Sequence, residues 1–339
     1  MNTKTTRQQA LQRWADQQPG FQCPSLTMIF GDASFRRYFR FAQSGRTVIA
    51  VDAPPEHENS QQFIAVAEAY RQNGVPVPEV LACDLAQGFY LLEDFGDCQF
   101  AHQLNEDSAD SLYRRALDCL PAIQQVRSAG GQPLPAFDDA LLDNEFYLFT
   151  HWLLQVHLGL TLTPQQQAVI DDTFVVLRDA FKAQPQVGVH RDYHSRNLMI
   201  RDDGSLGIID FQDAVLGPVC YDAVSLLRDC YQVWPAAQVD AWIQALHQRQ
   251  HSDIPFEQYR LWFDMTGMQR HVKASGIFAR LCHRDGKEGY LLDVPRTLDY
   301  LITVGQRWPQ TQAFASLVAE VVKPAVLAVA EQSTAVATS

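Results

Sequence analysis

Near the N-terminus apolar and polar residues alternate, and over most of the remaining chain apolar residues recur at helical spacing. A polar helical stretch, residues 7–17, ends near Pro19-Gly20. Residues 26–30, 35–41 and 47–51 are short runs separated by the turn formers Gly31-Asp32-Ala33-Ser34 and Ser44-Gly45, and they predict antiparallel strands. Residues 59–73 place Phe63, Val66, Ala67 and Tyr70 on one helical face and stop at Gly74. Two more strands are expected at 80–82 and 89–92. Helices are expected at 107–127 and at 140–158, the second rich in aromatics. Thr163-Pro164 with Gln166 makes a capped start for another, whose buried face carries Ile170, Phe174, Leu177 and Phe181. The pattern then changes to short apolar runs at 187–189, 198–200 and 206–209. The last two flank Asp202-Asp203-Gly204, a hairpin signal. Beyond Asp222 helical spacing returns through Leu246 and again over 256–279. A small antiparallel sheet followed by a larger helical part is an α+β fold.

Polar residues gather at the strand ends of the 187–222 stretch. His190-Arg191-Asp192 follows the first run, Asn197 comes five residues after Asp192, and Asp210-Phe211-Gln212 closes the hairpin. This spacing fits phosphoryl transfer, which needs positioning and charge neutralisation more than covalent help. Asp192 can accept the proton of an attacking hydroxyl. Asn197 and Asp210 can hold Mg²⁺ through oxygen, the donor type that this hard cation prefers. The parts and their order are those of kinases, H-R-D-x-x-x-x-N followed by D-F-x. Turn formation accounts for any one of these residues alone. It accounts poorly for all three on one strand–loop–hairpin frame.

The stretch resembles the catalytic core of aminoglycoside phosphotransferase-type kinases, distant relatives of the protein kinases. In that family the loop reads H-x-D-x-x-x-x-N, the metal site I-D-x-x-x-A, and a G-x-x-x-x-D element follows. Here these are His190, Asp192 and Asn197, then Ile209, Asp210 and Ala214, then Gly217 and Asp222. The resemblance implies a two-lobe protein-kinase-like fold, with residues 1–95 as the nucleotide-binding lobe and 96–339 as the lobe of the catalytic loop, metal site and substrate pocket. It implies ATP and Mg²⁺ as cofactors, Asp192 as base, Asn197 and Asp210 as metal ligands, and Asp222 as a brace for the loop. Residues 93–97 resemble the hinge, so Glu93 and Phe95 are expected beside the adenine. Residues 31–40 and 51–56 resemble one branch of the family, as do the Gln269-Arg270-His271, 276–281 and 283–287 elements. That branch contains bacterial kinases acting on the anomeric hydroxyl of N-acetylmuramate and N-acetylglucosamine in peptidoglycan recycling. The expected product is the sugar 1-phosphate.

The sequence departs from common nucleotide-binding patterns in the small lobe. Neither G-x-G-x-x-G nor G-x-x-x-x-G-K-[ST] is present, and Lys4 is the only lysine before Lys182. Arg36, Arg37 and Arg40 are the obvious replacement, with Arg36, Tyr38 and Arg40 on one strand face. Arg36 or Arg40, with Ser34 and the turn amides, is therefore expected to hold the phosphates; a solvated basic face is the alternative. Glu68 stands where a kinase's regulatory helix carries its ion-pair glutamate, and a plain surface charge is the alternative there. Glu145, among Phe146, Tyr147, Phe149 and Trp152, is either on a wet face or in contact with substrate. Basic residues cluster around 267–287, and Arg270, His271 and Arg280 are candidates for an acidic substrate such as one bearing a lactyl carboxylate. Ordinary helix-terminal charge and ion pairing is the competing account.

Composition narrows the partners. The 339 residues are 47% hydrophobic and 19% charged, and the net charge of -12 argues against nucleic acid or an anionic membrane surface. The chain has no uninterrupted apolar run of about 18 residues and no apolar signal core after Met1, which leads to the expectation of a cytoplasmic protein. The seven cysteines are scattered and read as reduced. Two readings compete with the amino-sugar kinase. One is a kinase for aminoglycosides or another small alcohol. The other is a pseudokinase binding module, favoured by the missing lysine and opposed by the complete Asp192, Asn197 and Asp210 set.

Overall fold

The computed structural model describes residues 3–29, 35–43 and 45–337. The expected turn at 31–34, including Ser34, lies outside the described residues, as does Ser44. The chain packs into two compact units, Met1–Leu134 with Arg196–Ala214, and Pro135–Ser195 with Val215–Ser339.

The first unit is built on a five-stranded antiparallel sheet of β1 (Thr27–Ile29), β2 (Arg37–Gln43), β3 (Arg46–Asp52), β4 (Val80–Asp84) and β5 (Phe89–Glu93), in the order β1-β2-β3-β5-β4. Alternation in β2 sends Phe39 and Phe41 to a core shared with Leu11, Trp14 and Ala15 of α1 (Thr3–Asp16). Burying each such ring removes it from water at a gain of roughly 1.5–3 kcal/mol. Helix α2 (Ser60–Gln72) starts where the Asn59 side chain accepts the Gln62 N–H. It stacks Phe63 on Tyr90 at 5.0 Å and against Phe211 at 4.8 Å. The hairpin Leu198–Ile200 and Leu206–Ile208 belongs to this unit, since Ile208 donates to the Pro76 carbonyl and Ile200 to that of Cys98, both at 2.8 Å. Compact packing therefore divides the chain at points other than residue 95. It keeps residues up to Leu134 with the sheet and brings the later hairpin back to it.

The second unit is helical, with a core of Phe146, Phe149, Leu153, Phe174, Leu177, Met268, Val272, Leu298 and their neighbours. Its long helix, Phe256–Asp285, ends at Gly286, whose φ of 68° supplies the left-handed cap. Gln186–Val189 pairs antiparallel with Val215–Pro218, a strand the apolar pattern had not revealed. The expected helix over 107–127, in the first unit, is two helices, Ala109–Asp118 and Leu120–Gln125. They part at Cys119 because Pro121 cannot donate its backbone nitrogen. The 140–158 helix is α-helical over Asp139–Tyr147 and widens to a π-helix over Leu148–His157. All seven cysteines are free. Gln312–Gln332 is the one helical stretch among the described residues long and apolar enough to cross a membrane, although Glu320 and Lys323 interrupt its apolar run. Its Phe314, Leu317, Val318, Val322 and Val326 lie in the core of the second unit.

Candidate active site

In the second unit the Gln186–Val189 strand delivers His190, Arg191 and Asp192 into a loop fixed by buried carboxylates. Asp222 Oδ2 accepts the His190 N–H at 2.8 Å and Oδ1 accepts the Arg191 N–H at 3.1 Å. Arg191 adopts φ 77°, a strained conformation for a side-chain-bearing residue that persists only where neighbours enforce it. Three residues after Asp192, the Ser195 N–H donates to Asp229 Oδ2 at 2.9 Å. Burial pushes the Asp192 carboxyl up, but Lys273, His194, Arg270 and Arg191 together pull it well below the usual carboxylate range. It is an anion at any working pH. Burial also drives Asp222 up to about 7, against the two backbone donors it receives.

Asn197 and Asp210 lie side by side in the first unit, at the two ends of the hairpin. Asn197 Nδ2 is 3.2 Å from Asp210 Oδ2, and the Ile209 N–H donates to the Asn197 carbonyl at 3.0 Å. Asp210 adopts φ 65°, and Gln212 Nε2 donates to its Oδ1 at 2.7 Å. The donor set fits a magnesium ion. It offers one carboxylate and one amide, and turning the Asn197 amide over presents its oxygen beside that carboxylate. The Tyr38 hydroxyl, raised by burial, feels both Arg36 and the charge of Asp210.

A model of the phosphotransferase enzyme family (APH) matches residues 25–262. The chain belongs to this family. It is 44% identical over 301 residues to the N-acetylmuramate/N-acetylglucosamine kinase of Pseudomonas putida, covering 87% of this chain and 88% of that one. To the protein of the same name from Pseudomonas aeruginosa it is 41% identical over 311 residues, 90% of each. Among solved structures, the Plasmodium vivax ethanolamine kinase superposes with a TM-score of 0.59 at 12% identity, covering 85% of this chain and 84% of that one. The ADP-bound aminoglycoside phosphotransferase APH(2'')-Ib gives 0.56 at 13%, covering 86% and 97%. The phosphotransferase thus has the protein-kinase-like fold expected from its sequence.

The other expected site residues of the phosphotransferase are mostly engaged within the protein. Arg40 is engaged. Its guanidinium meets Asp94 at 2.6 Å and Asp97 at 2.7 Å, so its donors tie β2 to the segment after β5. Arg37 is paired with the fully buried Asp52, which stands at the end of β3 and also takes Arg7. Arg36 is held by Glu58, Nη2 to Oε2 at 2.9 Å, with its guanidinium over the Phe63 ring. Glu68 is exposed on α2, and the glutamate that meets Arg36 is Glu58, just before that helix. At the end of β5, Glu93 pairs with Arg201 and donates its N–H to the Glu79 carbonyl at 2.9 Å. Phe95 is buried under the hairpin, where any Cβ on Gly207 would collide with its ring.

Of the candidates for substrate contact, His271 is a core residue. It stacks on Tyr300 at 4.5 Å and its Nε2 lies 2.9 Å from the Arg228 carbonyl, while burial drives its imidazole down to about 3. Glu145 is 3% exposed, and both its oxygens are occupied from inside the protein. Its partners are Arg191 on the loop before Asp192 and Gln269 and Lys273 on the long helix, so it is not on a wet face. Arg280 is half-buried near the end of the long helix, its basicity lowered by burial and by Arg284. Arg270 is buried with Nη1 3.9 Å from the Cys230 sulfur, and it contributes to the field on Asp192. Lys273, missed in the sequence, contributes more to that field. The available signal was its three-residue spacing from Arg270 on one helix face.

Proposed function

We propose that this chain transfers the γ-phosphoryl group of ATP, with Mg²⁺, to the anomeric hydroxyl of N-acetylmuramate or N-acetylglucosamine. The setting of Asp192, a carboxylate kept ionised by a cationic surround on a braced loop, carries the reaction type. The acceptor rests on the two Pseudomonas relatives, named for these sugars and matched along nearly their whole length. Anomeric hydroxyls are more acidic than other sugar hydroxyls, so a weak base within hydrogen-bond reach suffices. As the acceptor oxygen bonds to the γ-phosphorus, the bond from that phosphorus to the β–γ bridging oxygen breaks and ADP leaves. The hydroxyl proton passes to Asp192. Asp210 and Asn197 would hold the magnesium, which neutralises phosphate charge when bound. Arg36, oriented by Glu58, supplies the phosphate-binding cation in place of the absent strand lysine. A cytoplasmic setting, where ATP is present, goes with this reading.

Phosphorus NMR of the protein with MgATP and, separately, N-acetylmuramate, N-acetylglucosamine and kanamycin tests it. A sugar 1-phosphate resonance with the amino sugars alone is the expected result. Phosphorylated kanamycin would move the acceptor to aminoglycosides. ATP binding without any product would mark a binding module.

A further inference from the structure

Glu145 sits on the helix Asp139–Tyr147, just before it widens at Leu148. Its carboxylate is 3% exposed and joins three separate parts of the second unit. Arg191 Nη2 donates to Oε1 at 2.9 Å, Lys273 Nζ lies 3.3 Å from the same oxygen, and Gln269 Nε2 donates to Oε2 at 2.7 Å. Gln269 and Lys273 are one helical turn apart on the long helix and so present a single face. Arg191 is the residue before Asp192, and its backbone is the strained one, at φ 77°. Asp222 holds the two amides leading into Asp192, while Glu145 holds the side chain of the second of them.

We propose that Glu145 is a positioning residue. It acts through Arg191 to keep the backbone that carries Asp192 in its strained, productive conformation, and it uses Gln269 and Lys273 of the long helix as its own anchor. This role rests on the reading of Asp192 as the base. The field at Asp192 is part of the same device, because Glu145 partly neutralises Arg191 and Lys273, two of the cations that weaken that base. A carboxylate buried with two cations and an amide has a rigid place from which to locate a loop. A solvated partner for Arg191 would not.

The test uses Glu145→Gln, Arg191→Gln and the double variant of the full chain. It reads steady-state kinetics at saturating MgATP and amide hydrogen exchange at His190 and Arg191. Misplacement of a catalytic group by about 1 Å costs about 10²-fold in rate, so Glu145→Gln should lower kcat by about that factor and leave the sugar KM within about 3-fold. The two Asp222-bonded amides should exchange faster while those of the long helix keep their protection. In the Arg191→Gln background, adding Glu145→Gln should change kcat little further, because the two residues act in series. A raised sugar KM at unchanged kcat would make Glu145 a substrate contact and overturn the proposal. Additive losses in the double variant would overturn it too, as would unchanged exchange at His190 and Arg191. If Glu145→Gln folds poorly because two buried cations are left uncompensated, the charge-balanced Glu145→Gln/Lys273→Met variant takes its place. A well-folded protein of that kind with unaltered exchange at the two amides would equally sink the idea. Were neither amino sugar a substrate, the acceptor assignment would fail, and the exchange measurement would still decide the positioning role.

Discussion

Lys273, Arg270 and Arg191, with His194 beside them, hold Asp192 as an anion, and that fixes what a change at this one atom group should do. Asp192→Asn keeps the shape and removes the proton acceptor. Steady-state kinetics should show turnover down by about 10²–10⁴ with the sugar KM little changed. A near-normal rate would remove Asp192 from the mechanism. At His271 the consequence lies in stability. Its folded imidazole is driven down to about 3, against about 6.5 in an unfolded chain. Between those values the unfolded chain takes up a proton that the folded one refuses, so stability rises with pH and is lost as pH falls below about 6.5. His271→Phe keeps a ring on Tyr300 and removes the titration. Denaturant melts from pH 6.5 down to pH 4.5 should show the wild type losing ground to the variant by roughly 1.4 kcal/mol per pH unit once below the unfolded pKa. Asp222 works in the opposite sense, since its raised pKa costs stability as pH rises towards about 7. It is common to both proteins and cancels in the difference.

Elements explain why the candidate catalytic residues could be picked out in the chain and their supports could not. Asp192 follows the end of its strand, and Asn197 and Asp210 stand at the two ends of their hairpin, so each is placed by spacing within one short element. Glu58 rather than Glu68 meets Arg36 because the partner is chosen by where α2 begins, and that depends on the Asn59 cap and on packing against Tyr90. The Val215–Pro218 strand is read by its partner, Gln186–Val189, and four residues carry too short a pattern to announce it. The same holds for Arg40, whose carboxylate partners lie 54 and 57 residues away. The pair Arg36–Glu58 makes a prediction for the small-sheet unit. Glu58→Gln should raise the KM for ATP several-fold, on the order of the 1.4 kcal/mol that equals tenfold in binding, with less effect on the sugar KM. Kinetics with each substrate varied in turn would show the reverse pattern if Glu58 served the sugar. A second prediction concerns helix contact. A Cβ at Gly276 would stand 2.3 Å from the Leu148 carbonyl carbon, where the long helix crosses the start of the π-helix. Gly276→Ala must push two backbones apart, at a cost of about 1–3 kcal/mol in a chemical melt despite the better helix propensity of alanine. An unchanged midpoint would mean that the crossing is looser than its geometry.

For the whole molecule, ligand linkage gives a test independent of turnover. MgATP at about 100 times its Kd should raise the unfolding free energy by about 2.7 kcal/mol, and Asp210→Asn should remove most of the magnesium-dependent part of that gain. A thermal shift with ATP that is the same with and without magnesium would argue against Asp210 as a metal ligand. The two compact units also bear on how such a chain can be recombined. Neither is one continuous stretch, because the polypeptide passes between them after Leu134, after Ser195 and after Ala214. A hybrid with the Pseudomonas putida relative made by one crossover after Leu134 would graft a foreign 196–214 hairpin onto the host sheet, against Pro76 and Cys98. Exchanging Met1–Leu134 and Arg196–Ala214 together keeps every such pairing native. Shuffled libraries of these two parents should therefore yield folded progeny mainly where both segments travel as one inheritance.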